Sequence, residues 1–346
     1  MLGAADVRNS DPMLSLWMGT AIVGRYVLIG PVGYGGVSVV YQAIDTHRGS
    51  RCAVKLLSPA FADDEHARGR VRQEALITGR LRHPSVPQVF DYGDAPLPDG
   101  RVVPYVAMEL LSGAMLAGRL AGGALPWPEA VKVAATIADV LAIAHRRGVV
   151  HRDLTPANIM MTDSGPKIID FGEATTVEAV SAIAAQPLPT RRVSGAADPA
   201  DDVYALGVLL YQMLTGHSPY QTSSAEAQLH AARLRHIAPT PVLLVPGLPR
   251  TIAEVCRACM AKRPEDRPAA AQIAIALWAL ALDPADPAAA DRLSSAPPPV
   301  PELPGLPAPR PAPQPLRPPG GSGTHRRAAK RSFAAVRPGP YSTGSG

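Results

Sequence analysis

The chain has little with which to build a covalent framework. It holds 3 cysteines in 346 residues. Cys52, Cys256 and Cys259 suit a reducing compartment and exclude a small cross-linked secreted scaffold. Cys256 and Cys259 have the spacing of half a zinc site, with no second such pair to complete it. Aromatic residues are also scarce, at 5%. A core must therefore be packed from Ala, Val and Leu, for which an apolar content of 47% is ample. No apolar run reaches the roughly 18 residues of a membrane span. The longest candidate, Ala269 to Leu282, is too short and carries Gln272. The opening residues, MLGAADVRNSDPM, lack a basic stretch followed by an apolar one, so no signal peptide is expected. These absences together predict a cytoplasmic chain without a membrane span.

Proline and charge are present but uneven. Of 38 prolines, 16 fall between Pro284 and the C-terminus, a stretch of 63 residues. That stretch also holds 8 basic and 3 acidic residues, which accounts for the whole net charge of +5. Residues 284–346 therefore read as a disordered, Pro-rich, basic tail, open to a partner of Pro-rich or basic segments. The remainder is formally neutral, which argues against nucleic acid as a partner. Residues 1–24 show no periodicity and read as a flexible segment. The folded domain is expected over 25–283.

One stretch organises the domain: HRDLTPANIMMTDSGPKIIDFG, from His151 to Gly172. Asp153 can accept a proton from an incoming hydroxyl or hold that hydroxyl in line. Asn158 and Asp170 offer the hard oxygen donors that Mg²⁺ prefers. Upstream, Gly33-x-Gly35-Gly36-x-Ser38-x-Val40 lies between two strand-like runs, and glycines let a backbone close over phosphates. A Rossmann reading would need a helix after the glycines, but Val37 to Ala43 is strand-like. Lys55 lies in the apolar strand Cys52 to Leu57, where an ammonium is costly without a partner. Glu74 and Glu65, in a helical stretch from Asp63 to Leu81, are the candidate partners, and Glu65 lies near the helix start, where the dipole stabilises a carboxylate anyway. Apolar spacing near 3.6 predicts a helix over Pro128 to Arg147, and Asp201 opens another that is apolar nearly all round.

His151-Arg152-Asp153-Leu154 with Asn158, followed by Asp170-Phe171-Gly172, matches the protein-kinase signature set. With the glycine loop, Lys55 and Glu74 in that order, residues 25–282 resemble the bacterial eukaryotic-like serine/threonine protein kinases. The resemblance implies an α+β fold of two lobes. The small β-rich N-lobe would span about 25–108 and the larger helical C-lobe about 112–283, with ATP between them. It implies a protein kinase that acts with ATP and Mg²⁺, or Mn²⁺, on protein substrates of unknown identity. Catalytic roles fall on Asp153, Lys55, Glu74, Asn158 and Asp170, with Asn158 and Asp170 as metal ligands. Val32, Gly33, Tyr34, Gly35, Gly36, Val37, Ser38, Val39 and Val40 would cover the nucleotide with Lys55. Backbone groups near Glu109 and Leu111 would hold adenine, with Met108 at the back of the pocket. Asp202 would brace the catalytic loop; an N-cap or first-turn acid is the plainer reading.

The pattern departs from the family in three places. Ser38 replaces the third glycine. Thr155 replaces the lysine usual two residues after the catalytic Asp, which predicts a slower chemical step. Between Gly172 and Asp202 lie 29 residues without A-P-E, so Arg267 would lack its usual partner. Thr175, Thr176, Ser181, Thr190 and Ser194 are candidate control phosphosites there, opposite Arg152. A nucleotide-binding scaffold with little or no transfer is the alternative to an active kinase. A small-molecule phosphotransferase is a third reading.

Overall fold

The computed structural model describes residues 17–172, 174–176, 197–219 and 245–282. All lie within the first of two units, Met1–Ala312 and Pro313–Gly346. The tail, Ser181, Thr190 and Ser194 lie outside the described residues.

The N-terminal part is a six-stranded antiparallel sheet in the order β1-β2-β3-β4-β6-β5. Its strands are β1 (Ala21–Ile22), β2 (Tyr26–Tyr34), β3 (Ser38–Asp45), β4 (Ser50–Leu57), β5 (Val89–Pro96) and β6 (Val102–Met108). Val- and Tyr-rich runs suit a pleated surface. Cys52, Val54 and Leu56 of β4 are buried with Ala53 and Leu57, so this central strand is covered on both faces. The structure begins earlier than the expected boundary at Arg25. Trp17 and Ile22 are both buried, and β1 pairs with β2 through Ala21–Val27 and Ile22–Tyr26. A strand of two residues is too short to leave a period in the sequence.

Helix α1 (Glu65–Arg80) interrupts the strands. Asp64 starts it, accepting from the backbone N–H groups of His66 and Ala67. Ala67, Val71 and Ala75 of this helix join the sheet's core. Ile77, together with Leu81 just beyond it, joins the other core of the protein, that of the helices. Helix α1 thus straddles two cores.

Two short elements, β7 (Gly113–Met115) and α2 (Leu116–Leu120), lead into α3 (Trp127–Arg146). Helix α3 is built on small apolar residues, which let α4 (Pro199–Thr215) and α6 (Ala270–Leu282) pack closely against it. Gly148, at φ 68°, ends the run after α3. The chain then forms β8 (Val149–Val150), the catalytic-loop stretch, β9 (Ile159–Thr162) and β10 (Gly165–Ile168). Strand β11 (Thr175–Thr176) pairs antiparallel with β8.

Helix α4 starts two residues before the expected position, capped by Asp198 accepting from Ala200 N–H. Gly207 of α4 admits α5 (Arg250–Cys259): a Cβ there would fall 2.8 Å from Cys259 Cβ and 2.7 Å from Met260 Cγ. Cys256 and Cys259 are buried in this contact, and burial pushes the Cys256 thiol up to about 12. These thiols serve packing. Among the described residues, no helix is long and apolar enough to cross a membrane.

Candidate active site

Strand β4 carries Lys55 inward and α1 carries Glu74 to meet it. Lys55 Nζ lies 2.7 Å from Glu74 Oε1 and 2.5 Å from Oε2, with the Glu74 side chain buried and that of Lys55 mostly so. Burial works against both charges. For Lys55 the carboxylates of Glu74 and Asp170 outweigh it and hold the ammonium above its ordinary range. Burial pushes the Glu74 carboxyl up, with Lys55 opposing. Glu65, the other candidate, is paired with Arg68 at 3.5 Å and stays exposed. Asp170 Oδ1 lies 4.0 Å from Lys55 Nζ, so the second motif reaches the first pair.

Asp170 is fixed by its own turn. Its Oδ1 accepts from Gly172 N–H at 2.7 Å. A Cβ on Gly172 would fall 2.9 Å from that same oxygen, so a larger residue here would push the Asp170 carboxylate aside. Gln73 of α1 donates through Nε2 to the Ala174 carbonyl at 3.0 Å, tying the helix to the chain just past this turn.

Asp153 and Asn158 meet across a single 3-10 turn, Pro156–Asn158. Asn158 Nδ2 donates to the Asp153 carbonyl at 2.8 Å and to its Oδ2 at 2.9 Å. Both partners are acceptors, so the amide must present nitrogen to them. Its Oδ1 is left as an available hard donor. The Asp170 carboxylate is 43% exposed, the condition for a metal ligand that also meets substrate. Oxygen donors of this kind fit Mg²⁺.

The loop carrying Asp153 is braced from α4. Asp202, buried, accepts from His151 N–H at 2.7 Å and from Arg152 N–H at 2.8 Å. Its place in the first turn of α4 satisfies the plainer reading too, but these long-range bonds are its main contacts. They hold Arg152 at φ 68°, a conformation unfavourable for a non-glycine residue. His145, on the last turn of α3, is a third partner, with Nε2 2.8 Å from Asp202 Oδ2. Nothing in the sequence separated His145 from an ordinary helix-end cation. The His151 ring packs on Phe171 with centroids 4.7 Å apart. Burial holds its imidazole below the ordinary histidine range, against the pull of Asp202, Asp153 and Asp170.

The glycine segment forms the end of β2 and the start of β3. Gly33 pairs with Val40 and Tyr34 with Val39, and Gly35 N–H donates to Ser38 carbonyl at 2.8 Å. Val32 and Tyr34 are exposed, Ser38 is buried, and Gly36 and Val37 make the turn. At the end of β6, Glu109 is partly committed elsewhere. Its N–H donates to the Gln88 carbonyl at 2.8 Å, so its carbonyl is the backbone group left for a nucleotide. Its carboxylate binds Lys167 Nζ at 2.8 and 2.9 Å. A lysine inside the apolar run of β10 was the signal for that pair. Leu111 follows, half-buried.

Arg267 does not lack partners. It donates to the carbonyls of Ala261 and Ala200 at 2.9 Å, lies 3.7 Å from Asp201 and stacks over Tyr204 at 4.7 Å. The start of α4 supplies what the missing A-P-E would have given.

The same region of the chain matches known proteins. Residues 26–279 match the protein kinase domain family. The serine/threonine-protein kinase PknA of Mycobacterium tuberculosis is 35% identical over 260 residues, 72% of this chain and 59% of that protein. The probable serine/threonine-protein kinase PknB of Bifidobacterium longum is 32% identical over 275 residues, 75% of this chain and 40% of that protein. The chain therefore spans about three fifths or less of these relatives' length. The crystal structure of the M. tuberculosis PknI kinase domain superposes with a TM-score of 0.56 at 27% identity, covering 75% of this chain and 96% of that one. From the Lys55–Glu74 pair to the Asp202 brace, the chain belongs to the protein kinase domain family, in the branch of the bacterial eukaryotic-like serine/threonine kinases.

Proposed function

We propose that this chain transfers the γ-phosphoryl group of ATP to serine or threonine hydroxyls of proteins, in a reducing cytosol. The observation that carries the reading is one constellation. Lys55 is paired with Glu74 and lies 4.0 Å from Asp170, while Asp153 is tied to Asn158. Lys55 would bind the α- and β-phosphates, oriented by Glu74. The segment from Val32 to Val40 would cover them, and the Glu109 carbonyl and Leu111 backbone would hold adenine. Asn158 and Asp170 would hold Mg²⁺, which when bound neutralises charge on the β- and γ-phosphates. Asp153 accepts the hydroxyl proton as that oxygen bonds to γ-phosphorus, the β–γ bridge bond breaks, and ADP leaves. Thr175 and Thr176, adjoining the catalytic loop through β8, are the described candidates for control by phosphorylation.

The test is label transfer from γ-labelled ATP to a protein acceptor and, separately, to small alcohols and aminoglycosides. The reading expects label on protein serine or threonine, reduced at least about 100-fold in Lys55→Met. Label confined to small acceptors, or transfer retained by Lys55→Met, would contradict it.

A further inference from the structure

A groove of about 770 Å³ opens beside Glu109, and none of Lys55, Asp153, Asn158 or Asp170 lines it. Its size is that of a ligand-binding cleft, commonly about 300–1,000 Å³. Most charges on its wall are already matched. Lys167 is paired with Glu109, Arg25 with Asp45 and Asp91, and His83 lies 3.4 Å from Asp139. Arg82 differs: it is exposed and makes no ion pair among the described residues.

Two further arginines stand at the neighbouring end of α3, beyond the groove's own lining. Arg146 and Arg147 end α3, while Arg82 follows the end of α1. Arg147 Nη1 donates to the Arg80 carbonyl, which joins the two helix ends. Arg146 is exposed and, among the described residues, also has no ion pair. Burial, and then the charges of Arg146 and Arg82, hold the Arg147 guanidinium below its ordinary range. A helix C-terminus favours a cation, which explains one basic residue at each end. It does not explain a third, Arg147, whose charge the other two disfavour. Asp139 of α3 is the carboxylate whose charge meets that of Arg146, and it also faces His83. Three guanidinium groups against one carboxylate leave two positive charges. A phosphate monoester, at about −1.5 to −2 near neutral pH, matches that surplus better than a single carboxylate does. A free phosphate would leave most of the groove empty, whereas its walls offer Pro84, Phe90 and Tyr92 to an extended chain.

We propose that this groove docks a phosphorylated serine or threonine segment of a protein, with the phosphate on Arg82, Arg146 and Arg147. The site is separate from the transfer chemistry, so its test needs no turnover. The probe is a fluorescent ten-residue Pro- and Ala-based peptide with one central phosphothreonine. Anisotropy is read on the whole chain with a non-hydrolysable ATP analogue and Mg²⁺ present throughout. The phosphopeptide should bind at least about tenfold more tightly than its unphosphorylated twin, and the exposed double variant Arg82→Ala, Arg146→Ala should lose about tenfold. Arg82→Lys with Arg146→Lys, which keeps charge, should lose less. Equal binding of the two peptides, or no loss in the alanine variant with an unchanged melting curve, would overturn the proposal. So would displacement by inorganic phosphate at the peptide's own concentration, which would mark a site for the anion alone.

Discussion

Thr155 stands two residues past Asp153, where the family resemblance implies a lysine. Its hydroxyl makes no capping bond to the turn that follows, so nothing local requires a threonine there. A hydroxyl gives one hydrogen bond and no charge to a transferring phosphoryl group. Thr155→Lys should raise kcat by about tenfold with KM for ATP little changed, since the added charge acts mainly in the transition state. Steady-state kinetics with a protein acceptor decide it, and an unchanged kcat would remove charge at this position from the account. His151 makes a second prediction at this scale. Its buried Nε2 has no hydrogen-bond partner among the described residues. Its imidazole is held below the ordinary histidine range, so the unfolded chain takes up a proton that the folded chain refuses. Stability is then lost as pH falls through about 6.5, the unfolded value, and is retained above it. His151→Phe, which keeps the ring against Phe171, should flatten the fall in melting temperature between pH 7.5 and 5.5. An identical slope in both proteins would contradict this.

At the scale of elements, two helices hold the chemistry in register. Helix α1 packs Ala67, Val71 and Ala75 on the sheet and Ile77 on the helical core, and Glu74 lies next to that changeover. Any movement of one core against the other is therefore felt at Lys55. Helix α4 does the corresponding work for Asp153 through Asp202. Removing that buried carboxylate would strand two backbone N–H groups and the His145 ring, each costing about 1–3 kcal/mol when unpaired. Asp202→Ala should lower unfolding stability by about 3 kcal/mol or more and reduce kcat more than it raises KM for ATP. Denaturant unfolding and kinetics on the same preparation test both parts. An Asp202→Ala protein of unchanged stability and kcat would show that the catalytic loop holds its strained turn unaided.

Across the whole molecule, what could be read from sequence was local. The glycine turn, the apolar strand around Lys55, and the two acidic motifs are short segments whose chemistry lies within a few residues. The Lys55–Glu74 pairing was legible in two steps: a lysine in an apolar strand demands a carboxylate and α1 offered two, and the family resemblance chose Glu74. The same reasoning applied to Lys167 would have found Glu109, but a short strand before a recognised motif drew attention to the motif. His145 and the partners of Arg267 were not legible. Most of their contacts join residues dozens of positions apart, through the Ala200 carbonyl and two carboxylates, Asp202 and Asp201, which composition does not record. Strand β1 escaped because two residues carry no period. Arg267 shows the general case: a missing motif predicts a missing contact only if nothing else can fill the space.

The central claim is that this constellation transfers phosphate through Asp153. The most direct measurement pairs label transfer from ATP with calorimetric ATP binding, for the wild-type chain and for Asp153→Asn. The account predicts that the variant binds Mg²⁺–ATP within about threefold of wild type and loses transfer by about 100-fold or more. Transfer retained by the variant, or ATP bound by both proteins with no transfer by either, would contradict it.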